Sequence, residues 1–212
     1  MRRILATITV LVAVLLGLPA TAQAAANELG GGSDLFTLGG PSGRCSASFA
    51  ATSGGGTGYL IAGPSCAMSV GTLLYSGNDV LVGPVASVQD GTVLVEVTNT
   101  TDWKLVAFVP FLGLDPTING STEAPIGGTV CLLSKTTGMS CGSITAKNQT
   151  VHYPEGSLTG LTRTTICLEP GGVAYISGDQ AQGVPIGGSG CISYFRPINQ
   201  VLAAYGLGLL TG

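Results

Sequence analysis

Charge is scarce in this sequence. Lys, Arg, Asp and Glu make up 9% of it, against roughly 25% in an average domain. Eight basic residues stand against 11 acidic ones, and two of the eight, Arg2 and Arg3, sit at the very start. No basic cluster or stripe forms elsewhere, which excludes the electrostatic footprint of a nucleic-acid or anionic-lipid binder. Histidine occurs once, as His152, and no two cysteines form a CxxC pair. A zinc site needs several such ligands together, so neither a metal nor a cofactor is expected. Beyond the first residues no apolar run approaches the roughly 20 positions a spanning helix needs.

What is present begins with a leader. Arg2 and Arg3 precede the apolar run "ILATITVLVAVLLGL", then Pro19 and an Ala-x-Ala site at Ala22 and Ala24. A positive start, a run too short to span a bilayer and a small-residue site form the pattern of a cleavable export signal over residues 1–24. Six cysteines in an exported chain, Cys45, Cys66, Cys131, Cys141, Cys167 and Cys191, predict three disulfides with fifteen possible pairings.

Glycine is abundant, 34 of 212, more than twice the average share of about 7%. Short runs rich in Val, Ile and Thr alternate with turn clusters. Examples are "CSASFAA", "GYLIA", "DVLVGPVASV", "TVLVEV" and "KLVAFV", separated by "SGGG", "SGND", "QDG" and "TNTTD". That texture predicts many short strands without βαβ alternation, hence an all-β sandwich or barrel. "ANELGGGSDLFTLGG" reads as an irregular arm, and "DPTINGSTEAPIGG" as a linker between halves. The predicted halves are 25–118 and 119–212, each a β-barrel. Only "NQVLAAYGL" has helical spacing, with Val201, Leu202 and Tyr205 on one side.

Several phrases then resemble one family. "GSTEAPIGGTVC", "SKTTGMSCGSITAKNQTVHYPEG", "LTGLTRTTICLEPG", "SGDQAQGV", "GGSG" and "AAYGLGLLTG" are similar to the streptogrisin and alpha-lytic branch of the chymotrypsin-type serine peptidases. "GRCSASF" and "GYLIAG" fit the start of the same domain. The resemblance implies two packed antiparallel β-barrels with an active-site cleft between them. It also implies sequential disulfides, Cys45–Cys66, Cys131–Cys141 and Cys167–Cys191.

Such a cleft works through a serine activated by a histidine, a carboxylate that orients the histidine, and backbone donors for the oxyanion. The family's Ala-Gly-His-Cys here reads "AGPSC", with Pro64 and Ser65 before Cys66. His152 lies in "TVHYPEG", where the family has no catalytic group. The family's Asp-Ser-Gly-Gly here reads "EPGGVAYISG", as though the Asp-Ser pair were deleted, leaving Gly172 at the nucleophile's slot and Ser177 in a later turn. The carboxylate's slot falls near "QDGTVLVEV", at Asp90; Asp79 comes too early and Asp102 too late. The strand that pairs with substrate in the family reads "IGG", Ile186, Gly187 and Gly188, with Ile186 where the family has serine. Leu132 stands where the family often has an arginine partnered by the lost aspartate, so a buried charge and its partner vanish together.

The sequence therefore reads as a secreted serine peptidase homologue without catalytic residues, a monomer that binds an extended peptide or protein. Its alternative is an active secreted endopeptidase with a non-standard arrangement, for instance a serine paired with Lys104, Lys135 or Lys147. A structural envelope protein would require repeats or an anchoring motif, and neither is present.

Overall fold

The computed structural model describes residues 25–38, 43–66, 68–154 and 156–212; the expected export signal at 1–24 lies outside them. The first half carries β1 (Asn27–Gly31), β2 (Asp34–Leu35), β3 (Cys45–Ser53), β4 (Gly58–Ala62), β5 (Leu73–Ser76), β6 (Val80–Gln89), β7 (Thr92–Glu96) and β8 (Trp103–Phe108). A 3-10 turn, Pro64–Cys66, follows β4. The second half carries β9 (Thr129–Ser134), β10 (Gly138–Tyr153), β11 (Gly156–Thr164), β12 (Gly172–Ser177), β13 (Gln180–Ser189) and β14 (Ile192–Pro197). Helix α1 (Ile198–Tyr205) and strand β15 (Leu207–Leu209) complete the order.

Strands β9 to β14 close a barrel in the order β10-β11-β14-β13-β12-β9. In the first sheet the order is β15-β3-β4-β7-β6-β5, with β2 beside β3. Phe36, just after β2, exchanges backbone hydrogen bonds with Tyr75 of β5 at 3.0 and 2.8 Å, so this sheet also curls into a barrel. Alternation along the strands explains the curl: in β4 and β7 the apolar positions face a core of Leu60, Val82, Val93, Val95 and Trp103. A second core, Val130, Leu132, Ile144, Ile166, Tyr175 and Phe195, fills the other barrel. Between them, Phe49, Ile61 and Phe108 pack with Val173, Val184 and Ile198. The two barrels therefore share one apolar interface.

Three segments differ from the sequence expectation. The arm is not irregular: β1 pairs in parallel with β8, and Leu29 is fully buried. Glycine makes this possible, since a Cβ at Gly30 would lie 2.3 Å from the Val106 carbonyl oxygen. The linker is tied down as well: Thr122 N–H donates to Gln180 Oε1 at 2.9 Å and Ala124 N–H to Gln182 Oε1 at 2.8 Å. Strand β15, which begins at the last residue of the run read as helical, pairs antiparallel with β3 of the first barrel. The helix is where its spacing put it, capped by Gly206 at φ 62°. Its Val201 and Leu202 are buried, and half-buried Tyr205 shares a 3.0 Å hydrogen bond with Ser87.

Candidate functional site

A cleft of about 470 Å³ opens where the barrels meet. From the first barrel it is lined by Pro64 and Ser65 of the 3-10 turn and by Cys45 and Ser46. From the second come Gly171, Gly172, Leu132 and Tyr175, together with Pro185, Ile186 and Gly187 of β13. Gly63 sets the separation of the walls. A Cβ there would stand 2.7 Å from the Pro185 carbonyl oxygen, closer than real side chains approach. All three disulfides are sequential: Cys45–Cys66, Cys131–Cys141 and Cys167–Cys191. The first anchors the Pro64–Ser65 turn to β3.

The fold thus brings Ser65 and Gly172 into one cavity, along with Ile186 and Gly187. Asp90 is elsewhere. It occupies the β6–β7 turn at φ 51°, and its carbonyl accepts from Arg196 Nη2 at 2.8 Å and Nε at 3.1 Å. With Arg196, Gln200 and Tyr205 it lines a separate space of about 70 Å³. The residue standing against Ile186 is Gly91, whose Cβ would lie 2.9 Å from Ile186 Cδ1. The Asp90 carboxylate is exposed and accepts from the neighbouring Gln89 Nε2 at 3.4 Å. Asp102 is exposed and accepts from Asn99 Nδ2 at 2.8 Å, and Asp79 sits in an exposed turn at φ 60°.

Ile186 and Gly187 line the cleft, and a Cβ at Gly188 would meet the Ile192 carbonyl oxygen at 2.1 Å. Glycine there lets β13 and β14 pack closely. The backbone around it is open on the other side. Strand β12 pairs only with Gln180, Ala181 and Gly183 of β13, whereas β14 follows β13 to Ser189. Over Val184–Ser189 the edge away from β14 has no strand partner among the described residues.

His152 stands outside the cleft lining, at the end of the β10–β11 hairpin, with Nδ1 2.6 Å from Ser157 Oγ. Ser177 donates to the Thr129 carbonyl at 2.8 Å. Behind the cleft, Tyr175 stacks on Phe195 at 4.8 Å and donates to Ser193 Oγ at 2.7 Å, which is linked to Thr164 at 2.8 Å. Burial pushes the Tyr175 phenol above its ordinary pKa, against the opposing pull of those hydroxyls. Beside Gly187, burial and then the neighbouring Tyr194 likewise raise Tyr153.

Four charged side chains line the cleft, Asp34, Arg44, Lys135 and Glu169; no local pattern signals that they meet. Lys135 follows β9 in a turn that is pinned to the cleft floor. Its N–H donates to the Gly171 carbonyl at 2.9 Å, while Ser134 and Thr136 hydroxyls donate to the Pro170 carbonyl at 2.8 and 2.6 Å. Lys135 Nζ lies 3.4 Å from Asp34 Oδ1 and 4.7 Å above the Phe111 ring. Lys147 is engaged with Glu123 at 2.9 Å, and Lys104 is exposed on β8.

No family model matches the chain. Among curated proteins it is 43% identical over 189 residues to Streptogrisin-C of Streptomyces griseus, spanning 85% of this chain and 41% of that one. With Glutamyl endopeptidase 2 of the same organism, identity is 33% over 196 residues, spanning 84% and 97%. Among solved structures, Thermobifida fusca Protease A is 37% identical with a TM-score of 0.73, covering 88% of this chain and all of that one. An alpha-lytic protease homologue, N4, is 34% identical with a TM-score of 0.74, covering 85% and 98%. The chain spans less than half of Streptogrisin-C but nearly the full length of the other three. Identity at this level across the whole double barrel places the chain in the chymotrypsin-type serine protease family, among the streptogrisins and alpha-lytic protease homologues.

Proposed function

We propose that this chain is an exported member of the family that has lost proteolysis and binds extended peptides in its inter-barrel cleft. One observation carries the reading. The cleft presents Pro64, Ser65 and Gly172 with no imidazole among its lining residues, and the chain's single histidine is engaged with Ser157 outside it. A serine hydroxyl is a poor nucleophile without a base. Lys135, the lysine among the cleft's lining residues, is paired with Asp34 and makes no hydrogen bond to Ser65 among the described residues. Binding needs none of this. The unpaired edge of β13 can add a ligand strand through main-chain hydrogen bonds, as in other strand-addition complexes.

Two measurements on the mature protein test the reading. A serine-directed fluorophosphonate should leave it unlabelled, and casein should remain intact. Fluorescent extended peptides should bind weakly, and Ser65→Trp should block them by filling the cleft from an exposed position while thermal stability stays unchanged. Turnover removed by Ser65→Ala would instead establish an endopeptidase with a non-standard arrangement.

A further inference from the structure

Charge is rare in this chain, yet two of its basic side chains converge on one cleft. Both are held over aromatic rings: Lys135 Nζ lies 4.7 Å above Phe111, and the Arg44 guanidinium 5.3 Å above Phe36. Stacking of this kind orients a cation without neutralising it. Among the described residues Arg44 has no carboxylate within ion-pair distance. Lys135 has Asp34, but that pair is loose at 3.4 Å and its partners are unequal. The Lys135 side chain is 25% exposed and Asp34 56%. Besides Lys135, Asp34 Oδ1 accepts only a 3.2 Å hydrogen bond from Ser46 Oγ among the described residues, one that an incoming carboxylate can replace. Lys135, by contrast, lies over its ring on a turn pinned to Pro170 and Gly171. Glu169 also lines the cleft, beside Leu168, and makes no ion pair among the described residues. The cleft therefore holds two ring-stacked cations, one of them without a carboxylate partner and the other paired only with a largely exposed one.

Resting on the peptide-binding reading above, we infer that the cleft selects extended peptides bearing a carboxylate on the Arg44–Lys135 side. Asp34 is the internal occupant that this carboxylate displaces. Arg44 and Lys135 then share the incoming group. Main-chain pairing with β13 supplies affinity, and the charge pattern supplies selection and direction.

The test uses three fluorescein-labelled octapeptides of one Ala/Pro backbone: two Asp in the first half, two Asp in the second half, and Asn at all four places. Anisotropy titrations at low ionic strength should favour one of the two acidic peptides over the Asn peptide by about three- to tenfold. The preference should shrink at high salt. Asp34→Asn should tighten the favoured peptide further, and Arg44→Gln combined with Lys135→Gln should erase the preference while the Asn peptide binds as before. If Ser65→Trp blocks all three peptides but they bind wild type equally, the charge selection is overturned and the peptide-binding reading stands. If none binds wild type, both are overturned.

Discussion

Arg196 is the most consequential charged side chain outside the cleft, and removing it has a calculable outcome. It is 7% exposed, sits on β14, and reaches into the first barrel to the Asp90 carbonyl through Nε at 3.1 Å and Nη2 at 2.8 Å. Its Nη1 donates to the Thr159 carbonyl and, more weakly, to Gln200 Oε1 at 3.4 Å. Burial holds its pKa below the ordinary arginine value, with the nearby Asp90 charge acting in the opposite sense. Consider Arg196→Met, which keeps most of the aliphatic volume. The substitution removes the bonds to the Asp90 and Thr159 carbonyls, and hydrogen bonds from a charged donor contribute about 1.5–3 kcal/mol each, less where water reaches the exposed acceptors. Against this, the protein no longer desolvates a guanidinium that lacks a carboxylate partner, which offsets a large part of the loss. The net destabilisation should be about 2–3 kcal/mol, or roughly 5–10 °C in Tm for a domain of this size. Scanning calorimetry of the mature protein measures it directly. Because the lost bonds join β14 to the β6–β7 turn, the transition should also broaden as the barrels uncouple. An unchanged Tm with an equally sharp transition would refute the reasoning.

Gly63→Ala forces a methyl against the Pro185 carbonyl, 2.7 Å away; overpacking of this kind costs about 1–3 kcal/mol. Urea denaturation should show that loss together with weaker peptide binding, since the Pro64–Ser65 wall must move. The raised Tyr175 pKa makes stability pH-dependent on the alkaline side. Its contribution is complete below the ordinary tyrosine value near pH 10 and is lost as pH rises through the higher folded-state value. Urea midpoints taken between pH 9 and 11.5 should therefore fall less steeply for Tyr175→Phe than for wild type. Parallel slopes would show that Tyr175 ionises no differently in the folded chain.

Much of the double barrel was legible because its strands announce themselves locally. "GYLIA" and "TVLVEV" are β-branched or apolar runs bounded by turn residues, and they fold as β4 and β7. The helix was legible from the spacing of Val201 and Leu202. Strand β1 was not, because "NELGG" has the composition of a loop, and only tertiary contact with β8 makes its glycines useful. For the site, the resemblance located Ser65, Gly172 and Ile186, three residues that share a cleft although they lie far apart in the chain. The close approach of Gly188 to β14 depends on a tertiary contact that no local pattern encodes. Asp90 looked suitable by counting, yet the fold sets it beside Arg196, away from the cleft lining. Arg44 and Lys135 carry no signal at all, since each is an ordinary turn-flanking cation until Phe36 and Phe111 are folded beneath them.

The return of β15 to β3 also shapes how this molecule can be made. Leu207 pairs with Ser53 and Leu209 with Ala51, contacts separated by about three-quarters of the sequence. The first barrel, though nearly all of its strands are synthesised early, keeps an uncovered flank on β3 until the last strand arrives. An open strand flank is a template for pairing with other chains, and long-range pairing of this kind slows folding. Synthesis or threading from the amino-terminal side thus leaves an assembly that is complete only when both barrels have emerged. Divided at the segment between β8 and β9, the two fragments would each lack a surface that the other provides, so the double barrel behaves as one cooperative unit.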